Sequence, residues 1–299
     1  MKHLLTLMDL SPREISGLLD LAAKFKKDPL GERKSLRGRT LAMIFQKPST
    51  RTRVSFEVAM QRLGGNALFL SSRDLQLGRG ETIPDTARVL ARYCDAIMAR
   101  VFNHADLTGL AEGGVPVING LSDLLHPCQA LADAMTIRER KGSLNEVKLA
   151  YLGDGNNVAN ALITLAARTG LALRIACPPG YDPDPDIVHA ARHEGADLLV
   201  TADPREAVAG VDVVYTDTWT SMGQEDDADR RRRDLTPYRV DEALFAAADP
   251  DALFMHCLPA HRGSEVVDAV IDHERSVVFD QAENRLHTEQ AVLFTLLAA

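Results

Sequence analysis

The feature that most constrains the fold is an alternation of short apolar runs with segments of helical periodicity. In the first half, helical patterns that include 51–63 and 82–93 alternate with apolar runs at residues 41–45, 67–70, 96–101 and 115–119. The second half repeats the alternation, with apolar runs at 147–152, 174–177, 198–201, 211–215, 252–256 and 277–280. This repeated strand–helix order predicts parallel sheets that are covered by helices on both faces.

The division of the chain follows from its length and from one helix stop. A chain of 299 residues fits two domains better than one. The helical pattern over 127–141 ends at Lys141-Gly142, between the two series of strands. We predict an α/β protein with two doubly wound domains, each with a parallel sheet flanked by helices, covering 1–140 and 141–284. A helix within 285–299, with no strand after it, is predicted to fold back on the first domain.

Composition excludes several classes of protein. The net charge of −8 argues against a general nucleic-acid binder. No apolar run approaches the roughly 20 residues that a membrane-crossing helix needs, and the first residues do not have the pattern of a signal peptide. The cysteines are scattered without a Cys-x-x-Cys pair. This pattern favours free thiols in a reducing cytoplasm.

A polar segment joins the first apolar run to the first helix of the series. It reads Gln46-Lys47-Pro48-Ser49-Thr50-Arg51-Thr52-Arg53, and either Ser49 or Thr50 suits the helix N-cap. Free N–H groups at a helix N-terminus, with hydroxyl and guanidinium donors, suit a phosphate group. The alternative is an ordinary capped helix with solvated Arg51 and Arg53. A Walker loop is excluded because its glycine-rich run is missing.

Two further polar groups follow apolar segments of the first half. Arg100 ends the run at 96–101, and it is either a solvated strand end or a second charge for an anion. His126-Pro127-Cys128-Gln129 opens a helix. His126 either packs on its neighbours or donates a hydrogen bond to a carbonyl oxygen, with Gln129 one turn further binding an amide.

Strand ends of the second half also carry polar residues. The turn at 153–157 lacks the third glycine of a dinucleotide fingerprint, because Val158 stands there, so NAD binding is not expected and Asn157 becomes a candidate substrate ligand. Asp217 precedes Ser221 by four residues in a loop closed by glycine, and it suits an ammonium group or a turn cap. Cys257 ends another strand, either as a small apolar side chain or as a substrate contact.

Two patterns of the second half are assigned no function. A metal site built from His256, Cys257 and His261 has no recognised ligand spacing, so no metal is predicted. The run from Arg230 to Arg233 follows acidic residues and is interpreted as a mobile solvated loop.

In combination these motifs resemble the ornithine carbamoyltransferases, almost from end to end. The Ser49–Arg53 and His126–Gln129 motifs are common to carbamoyltransferases, whereas Asp217 with Ser221-Met222-Gly223 and His256-Cys257-Leu258-Pro259 resemble the ornithine branch. In the aspartate branch, a loop lysine enters a neighbouring subunit's site. Here Arg79 leaves no such lysine in that loop, which further favours ornithine.

The resemblance implies a role for each site residue. Carbamoyl phosphate would be bound by Ser49, Thr50, Arg51, Thr52, Gln76 (from an adjacent subunit), Arg100, His126, Pro127, Cys128, Gln129, Cys257, Leu258 and Arg285. Ornithine would be bound by Asn157, Asp217, Ser221 and Met222. Arg100, His126, Cys257 and Asp217 would be catalytic, with Cys257 either the base or only a positioning group.

The implied reaction joins the carbamoyl group to the δ-amine of L-ornithine, giving citrulline and phosphate. The expected setting is arginine biosynthesis, in a cytoplasmic homotrimer or a multiple of trimers, without a cofactor and without nucleic-acid or membrane partners. Alternatives are a carbamoyltransferase for putrescine or an N-acylated ornithine, a catabolic ornithine carbamoyltransferase of arginine degradation, and a non-enzymatic binding protein.

Overall fold

A computed structural model describes residues 1–71, 80–220 and 227–298 of the chain. These residues form two compact units. The first combines Met1–Met135 with Glu283–Ala299, and the second comprises Thr136–Ala282. Two helices, α5 (Pro127–Lys141) and α12 (Val278–Leu297), contain the unit boundaries.

The first unit is built on a parallel sheet of four strands in the order β2-β1-β3-β4. The strands are β1 (Thr40–Phe45), β2 (Asn66–Ser71), β3 (Ala96–Arg100) and β4 (Val117–Leu121). Its other helices are α1 (Pro12–Lys27), α2 (Thr50–Arg62), α3 (Ile83–Leu90) and α4 (His104–Ala111), with a short 3₁₀ turn at Leu7–Asp9. Strand β3 is buried throughout, as expected of a central strand with helices on both faces.

The second unit has a parallel sheet of five strands in the order β7-β6-β5-β8-β9. The strands are β5 (Lys148–Leu152), β6 (Ala172–Ala176), β7 (Leu198–Thr201), β8 (Val213–Thr216) and β9 (Leu253–His256). The helices are α6 (Asn157–Thr169), α7 (Pro185–His193), α8 (Pro204–Val208), α9 (Ala228–Leu235), α10 (Glu242–Phe245) and α11 (Asp268–Ile271), with a 3₁₀ turn at Thr236–Tyr238. The predicted doubly wound α/β class is therefore confirmed.

The strand order determines where each sheet has its topological switch point. In the first unit the chain turns to opposite sides after β1 and β3, and Phe45 pairs with Arg100 at their carboxyl ends. In the second unit the corresponding strands are β5 and β8, where Leu152 pairs with Thr216. Open parallel sheets bind ligands outside the carboxyl ends at such points. The polar motif that follows β1 and the polar motif that follows β8 both begin at these switch points.

Helix α12 packs on the first unit, as predicted for the C-terminal helix. The Phe294 ring lies with its centroid 5.7 Å from that of Phe25, in an edge-on arrangement. The Lys26 Nζ donates to Asn284 Oδ1 at 2.8 Å, and Gln290 Nε2 donates to the Pro29 carbonyl at 3.1 Å. Because these contacts hold both ends of this part of the helix, Arg285 is carried on a well-supported element.

Two local predictions were wrong. The expected strand at 277–280 is the beginning of α12, where the Gln281 N–H donates to the Val277 carbonyl in a helical bond. An apolar run of this length does not distinguish a strand from a buried helix turn. The arginine run, interpreted as a loop, lies in α9, and Arg231 within it is buried. Among the residues that the structure describes, no helix combines the length and apolar character needed to cross a membrane.

Candidate active site

The first cluster of polar side chains lies at the N-terminus of α2. Ser49 is the N-cap, and its hydroxyl accepts the Thr52 N–H at 3.2 Å. Thr50 begins the helix and is exposed, as is Arg51, whereas Thr52 is buried. The cap satisfies one of the free helix N–H groups, and the others remain at the mouth of the turn with the positive end of the helix dipole.

Arg53, the second arginine of this turn, has other partners. Its Nε donates to Glu57 at 2.9 Å, and its guanidinium carbon lies 3.9 Å from the centre of the Phe69 ring. An ion pair one helical turn apart and a cation–π contact together direct this side chain along α2 and towards β2. The charge of Arg51, in contrast, lowers the pKa of Arg100 and of His126, so Arg51 is the arginine of this turn that adds to the basic cluster.

The Thr52 hydroxyl accepts hydrogen bonds from two guanidinium groups that belong to distant parts of the chain. Arg100 Nη1 and Arg285 Nη2 each donate to Thr52 Oγ1 at 3.2 Å. Arg100 comes from the end of β3 and Arg285 from α12, and both are buried. The hydroxyl oxygen has two lone pairs, so it satisfies one donor from each arginine. This arrangement concentrates positive charge beside the helix N-terminus.

The charge of the cluster is visible in the ionisation of its members. Burial, with repulsion from Arg285 and Arg51, lowers the pKa of Arg100 to about 9. Burial and the same three arginines hold the pKa of His126 well below its ordinary value, so its imidazole is neutral at pH 7. A site that resists further positive charge in this way is suited to a bound anion.

Two buried nitrogen atoms of the cluster have no hydrogen-bond partner within the part of the chain that the structure describes. They are Nε of Arg100 and Nδ1 of His126. Buried polar atoms are normally satisfied, and an unpaired one calls for an explanation such as a ligand. These two nitrogens belong to two residues that the family resemblance assigns both to carbamoyl phosphate binding and to catalysis.

Helix α5 supplies the rest of the predicted His-Pro-Cys-Gln group. Pro127 is its first residue, a position where proline costs no hydrogen bond. Gln129 Oε1 accepts from Arg285 Nη1 at 3.0 Å, and its Nε2 donates to Asp133 Oδ1 at 2.8 Å. Cys128 donates its thiol hydrogen to the Asn119 carbonyl at 3.3 Å, and burial raises its pKa to about 12. Cys128 therefore remains a thiol and supports the turn.

The second cluster lies at the carboxyl ends of β5, β8 and β9. Thr216 pairs with His256, so the residues that follow, Asp217 and Cys257, are neighbours. The Cys257 thiol donates to Asp217 Oδ1 at 2.9 Å, and Asn156 Nδ2 donates to Asp217 Oδ2 at 2.8 Å. Both oxygens of this buried carboxylate are thus oriented by donors, and a carboxylate can accept further hydrogen bonds at each oxygen.

The ring nitrogens of His256 are both engaged. Nδ1 accepts the Leu258 N–H at 2.8 Å, so the proton lies on Nε2, which donates to the buried Glu265 at 3.2 Å. Leu258 has φ of 56°, a left-handed conformation that is costly for a branched side chain and that the His256 bond supports. Asp217, His256 and Cys257 also form the one group within the described ranges whose ligand atoms are close enough for a metal ion. With both His256 nitrogens occupied, that group does not offer a third ligand.

The predicted ligand Asn157 follows a residue of the second cluster in the chain. Asn157 begins α6 and is half-buried, while its neighbour Asn156 is the N-cap and makes the bond to Asp217. Gln76, Ser221 and Met222 lie outside the described residues.

Sequence reasoning missed several residues that organise these clusters. Glu289, one helical turn after Arg285, accepts from that arginine at 2.7 Å, and a spacing of four on a helical pattern could have signalled it. Asn156 was overlooked although asparagine is a favoured N-cap. The buried ion pair of Arg231 and Asp154, with Arg231 Nε donating to the Trp219 carbonyl at 2.6 Å, had no local signal. Burial raises the pKa of Asp154 to about 6 against the opposing pull of Arg231.

The match to known families covers nearly the whole chain. Residues 2–139 match the carbamoyl-phosphate binding domain of aspartate/ornithine carbamoyltransferases, and residues 145–296 match the Asp/Orn binding domain. The chain belongs to the aspartate/ornithine carbamoyltransferase family.

Individual relatives extend this result. The chain is 57% identical over 303 residues to the ornithine carbamoyltransferase of Anoxybacillus flavithermus, covering 99% of this chain and 96% of that protein. It is 55% identical over 299 residues to the anabolic ornithine carbamoyltransferase of Pyrococcus furiosus, covering 98% and 95%. A solved structure of ornithine carbamoyltransferase from the same organism superposes with a TM-score of 0.94 at 54% identity, covering 99% of this chain and 97% of that one.

Proposed function

We propose that this protein transfers the carbamoyl group of carbamoyl phosphate to the δ-amine of L-ornithine, producing L-citrulline and phosphate. The observation that carries this proposal is the buried cluster at Thr52, where Arg100 and Arg285 converge beside the neutral His126. The relatives named ornithine carbamoyltransferase, one of them named anabolic, support the substrate and a place in arginine biosynthesis.

The phosphate group is bound at the N-terminus of α2. The helix N–H groups, the hydroxyls of Ser49, Thr50 and Thr52, and the guanidinium of Arg51 offer donors to its oxygens. Arg100 adds positive charge, and Gln76 contributes from an adjacent subunit. This assignment agrees with the low pKa of Arg100, because a dianion relieves the repulsion among the arginines.

The carbonyl oxygen of the carbamoyl group is polarised by Thr52, Arg100 and His126. As the nitrogen lone pair of ornithine adds to the carbonyl carbon, negative charge develops on this oxygen, and donors already in position stabilise it without reorganisation. A neutral His126 serves here if it carries a proton on the nitrogen that faces the oxygen. Cleavage of the carbon–oxygen bond then releases phosphate.

The remaining contacts orient the carbamoyl amide and the reacting carbon. Gln129 binds the amide, and each of its polar atoms retains one unused hydrogen-bonding position beyond Arg285 and Asp133. Further contacts to carbamoyl phosphate come from Pro127, Cys128, Cys257, Leu258 and Arg285. Because Cys128 is held as a thiol by burial, its role is contact rather than chemistry.

Ornithine is bound through its amino-acid end by Asn157, Asp217, Ser221 and Met222. Asp217 pairs with the α-ammonium group. Its oxygens accept hydrogen bonds from neutral donors, and these donors do not neutralise the negative charge of the carboxylate. The δ-ammonium must lose a proton before it attacks, because a free alkylammonium has a pKa near ~10. Desolvation near Asp217 and Cys257 favours that loss. The thiol of Cys257 donates to Asp217, so the proposed role of Cys257 is to position the amine.

The proposal extends to organisation in the cell. The protein acts in the cytoplasm as a homotrimer or a multiple of trimers. Residues 1–140 with 285–299 bind carbamoyl phosphate, and residues 141–284 bind ornithine.

The test is a product assay with a panel of amines. The purified protein is incubated with carbamoyl phosphate and L-ornithine, putrescine, N-acetylornithine or L-aspartate, and the carbamoylated products are quantified. Citrulline is expected at a kcat/KM at least about a hundredfold above that of the other products, because a site built for two polar ends rejects analogues that leave one unpaired. Preference for putrescine or the acylated amine, or no product at all, would overturn the proposal.

A further inference from the structure

One buried carboxylate stands inside the cluster of arginines. Glu289 is 1% exposed, and its Oε1 accepts from both Nε and Nη2 of Arg285, at 3.0 and 2.7 Å. The two residues lie one turn apart on α12, so the helix itself aligns them. This contact occupies one edge of the planar Arg285 guanidinium.

The rest of the guanidinium faces the proposed carbamoyl phosphate site. Nη1 donates to Gln129 Oε1 at 3.0 Å, and Nη2 donates to Thr52 Oγ1 at 3.2 Å. A planar guanidinium held along one edge has little freedom to rotate, so the positions of its other donors are determined by that edge. Glu289 therefore controls the direction from which Arg285 meets Thr52 and Gln129.

The negative charge of Glu289 excludes an attractive contact between this residue and carbamoyl phosphate. A carboxylate repels a phosphate dianion, and burial raises its own pKa against the pull of Arg285, Ser55 and Arg100. Glu289 instead affects the ionisation of Arg285. Burial lowers the pKa of Arg285, but the ion pair with Glu289, together with the charges of Cys128 and Asp133, outweighs burial and leaves the pKa raised. Arg285 is thus kept charged as well as aligned.

We propose that Glu289 is a positioning residue for carbamoyl phosphate, which acts by fixing the Arg285 guanidinium against Thr52 and Gln129. This inference rests on the proposed function, because it assumes that these three residues meet that substrate. It assigns Glu289 no contact with the substrate and no proton transfer.

The test compares two substitutions of similar length. Glu289→Gln keeps an oxygen that can accept from Arg285 but removes the charge, and Glu289→Met removes both. Glu283→Gln is the matched control, since Glu283 lies on the same helix with its side chain 54% exposed and paired with His287. KM is measured for each substrate, together with kcat and the affinity for inorganic phosphate by calorimetry. Melting temperatures identify the conditions in which every variant is folded.

The expected pattern separates positioning from charge and from folding. Glu289→Met should raise the KM for carbamoyl phosphate and the phosphate dissociation constant at least tenfold, with the KM for ornithine within twofold of wild type. Glu289→Gln should stay within about threefold of wild type, and Glu283→Gln should match it. The inference is overturned if Glu289→Met leaves both carbamoyl phosphate measures within twofold, or if Glu289→Gln is impaired as severely as Glu289→Met. If the wild type makes no citrulline, the proposed function fails, while phosphate calorimetry still tests Glu289.

Discussion

The two clusters share a topology but differ in charge. Each lies at the carboxyl ends of parallel strands, at the switch point of its own sheet. In the first unit, Arg100 and Arg285 meet at Thr52 beside a helix N-terminus. In the second, Asp217 is surrounded by the neutral donors of Asn156 and Cys257. The backbone thus places the two clusters, and the side chains at the strand ends make one of them basic and the other acidic.

The clusters also differ in how they are assembled. The basic cluster draws on β3, α2, α5 and the distant helix α12, and it holds like charges together at the cost of a low Arg100 pKa. The acidic cluster comes from consecutive strand ends whose register makes Asp217 and Cys257 neighbours. A strained collection of like charges should respond strongly to its ligand, whereas a carboxylate with neutral donors needs no such compensation.

The largest expected effect is the loss of Arg100. Arg100→Met keeps much of the apolar length but removes a donor to the developing oxyanion, so kcat/KM for citrulline formation should fall about 100- to 1,000-fold. Calorimetry should show weakened phosphate binding. Exposed Arg92 on the same unit provides the control, and Arg92→Met should be indistinguishable from wild type. A fall of less than about threefold in kcat/KM would show that Arg100 is only a structural partner of Thr52.

The converse change removes the charge of the acidic cluster. Asp217→Asn preserves size and should lower kcat/KM for ornithine by about 10- to 100-fold, since a charge-assisted bond to the α-ammonium is worth roughly 1.5–3 kcal/mol. Phosphate affinity should stay within twofold, and exposed Asp186→Asn serves as the control. If ornithine kinetics are normal and only the melting temperature drops, Asp217 is a turn cap and the contrast between the clusters has no functional meaning.

A third change tests which arginine of the α2 turn contacts phosphate. Arg51→Ala should weaken phosphate binding about tenfold, at the low end for a charged contact because the side chain is exposed. Arg53→Ala, two residues further, loses the Glu57 ion pair and the Phe69 contact instead and should change phosphate affinity less than twofold. Equal losses in the two variants would indicate general attraction to the basic surface rather than a specific contact.

The smallest effect concerns acidification of the basic cluster. Burial holds the pKa of His126 well below its ordinary value. Below about pH 6.5, His126 therefore binds a proton in the unfolded chain but not in the folded chain. This contribution to stability is present above pH 6.5 and is lost as the pH falls towards the folded pKa.

His126→Asn should therefore reduce the loss of unfolding free energy between pH 7.5 and 5.5 by about 1 kcal/mol, measured by urea denaturation. Exposed His189→Asn should leave the wild-type loss unchanged. An identical pH dependence in wild type and His126→Asn would contradict the description of His126 as a neutral buried imidazole.

Local patterns predicted most of the secondary structure but failed where burial depends on distant partners. The run at 198–201 was predicted with its observed bounds, because turn residues flank this short apolar segment on both sides. At 277–280 the same kind of run is the first turn of α12. In α9, charge composition suggested a solvated segment, yet Arg231 is buried against Asp154, a residue 77 positions away. A local window contains no information about such a partner.

The sequence alone indicated the chemical character of each cluster. Turn chemistry, capping residues and charge are local properties, so the Ser49–Arg53 turn, the residues at 126–129 and Asp217 could be recognised one by one, and their combination indicated the family. The tertiary structure decided which strand ends are neighbours, because strand pairing joins residues far apart in the chain and periodicity does not specify the partner. The meeting of Arg285 with Thr52, 233 residues away, and its alignment by Glu289 follow from packing of α12 on the first unit. That packing depends on the apolar surfaces of the whole unit rather than on any motif.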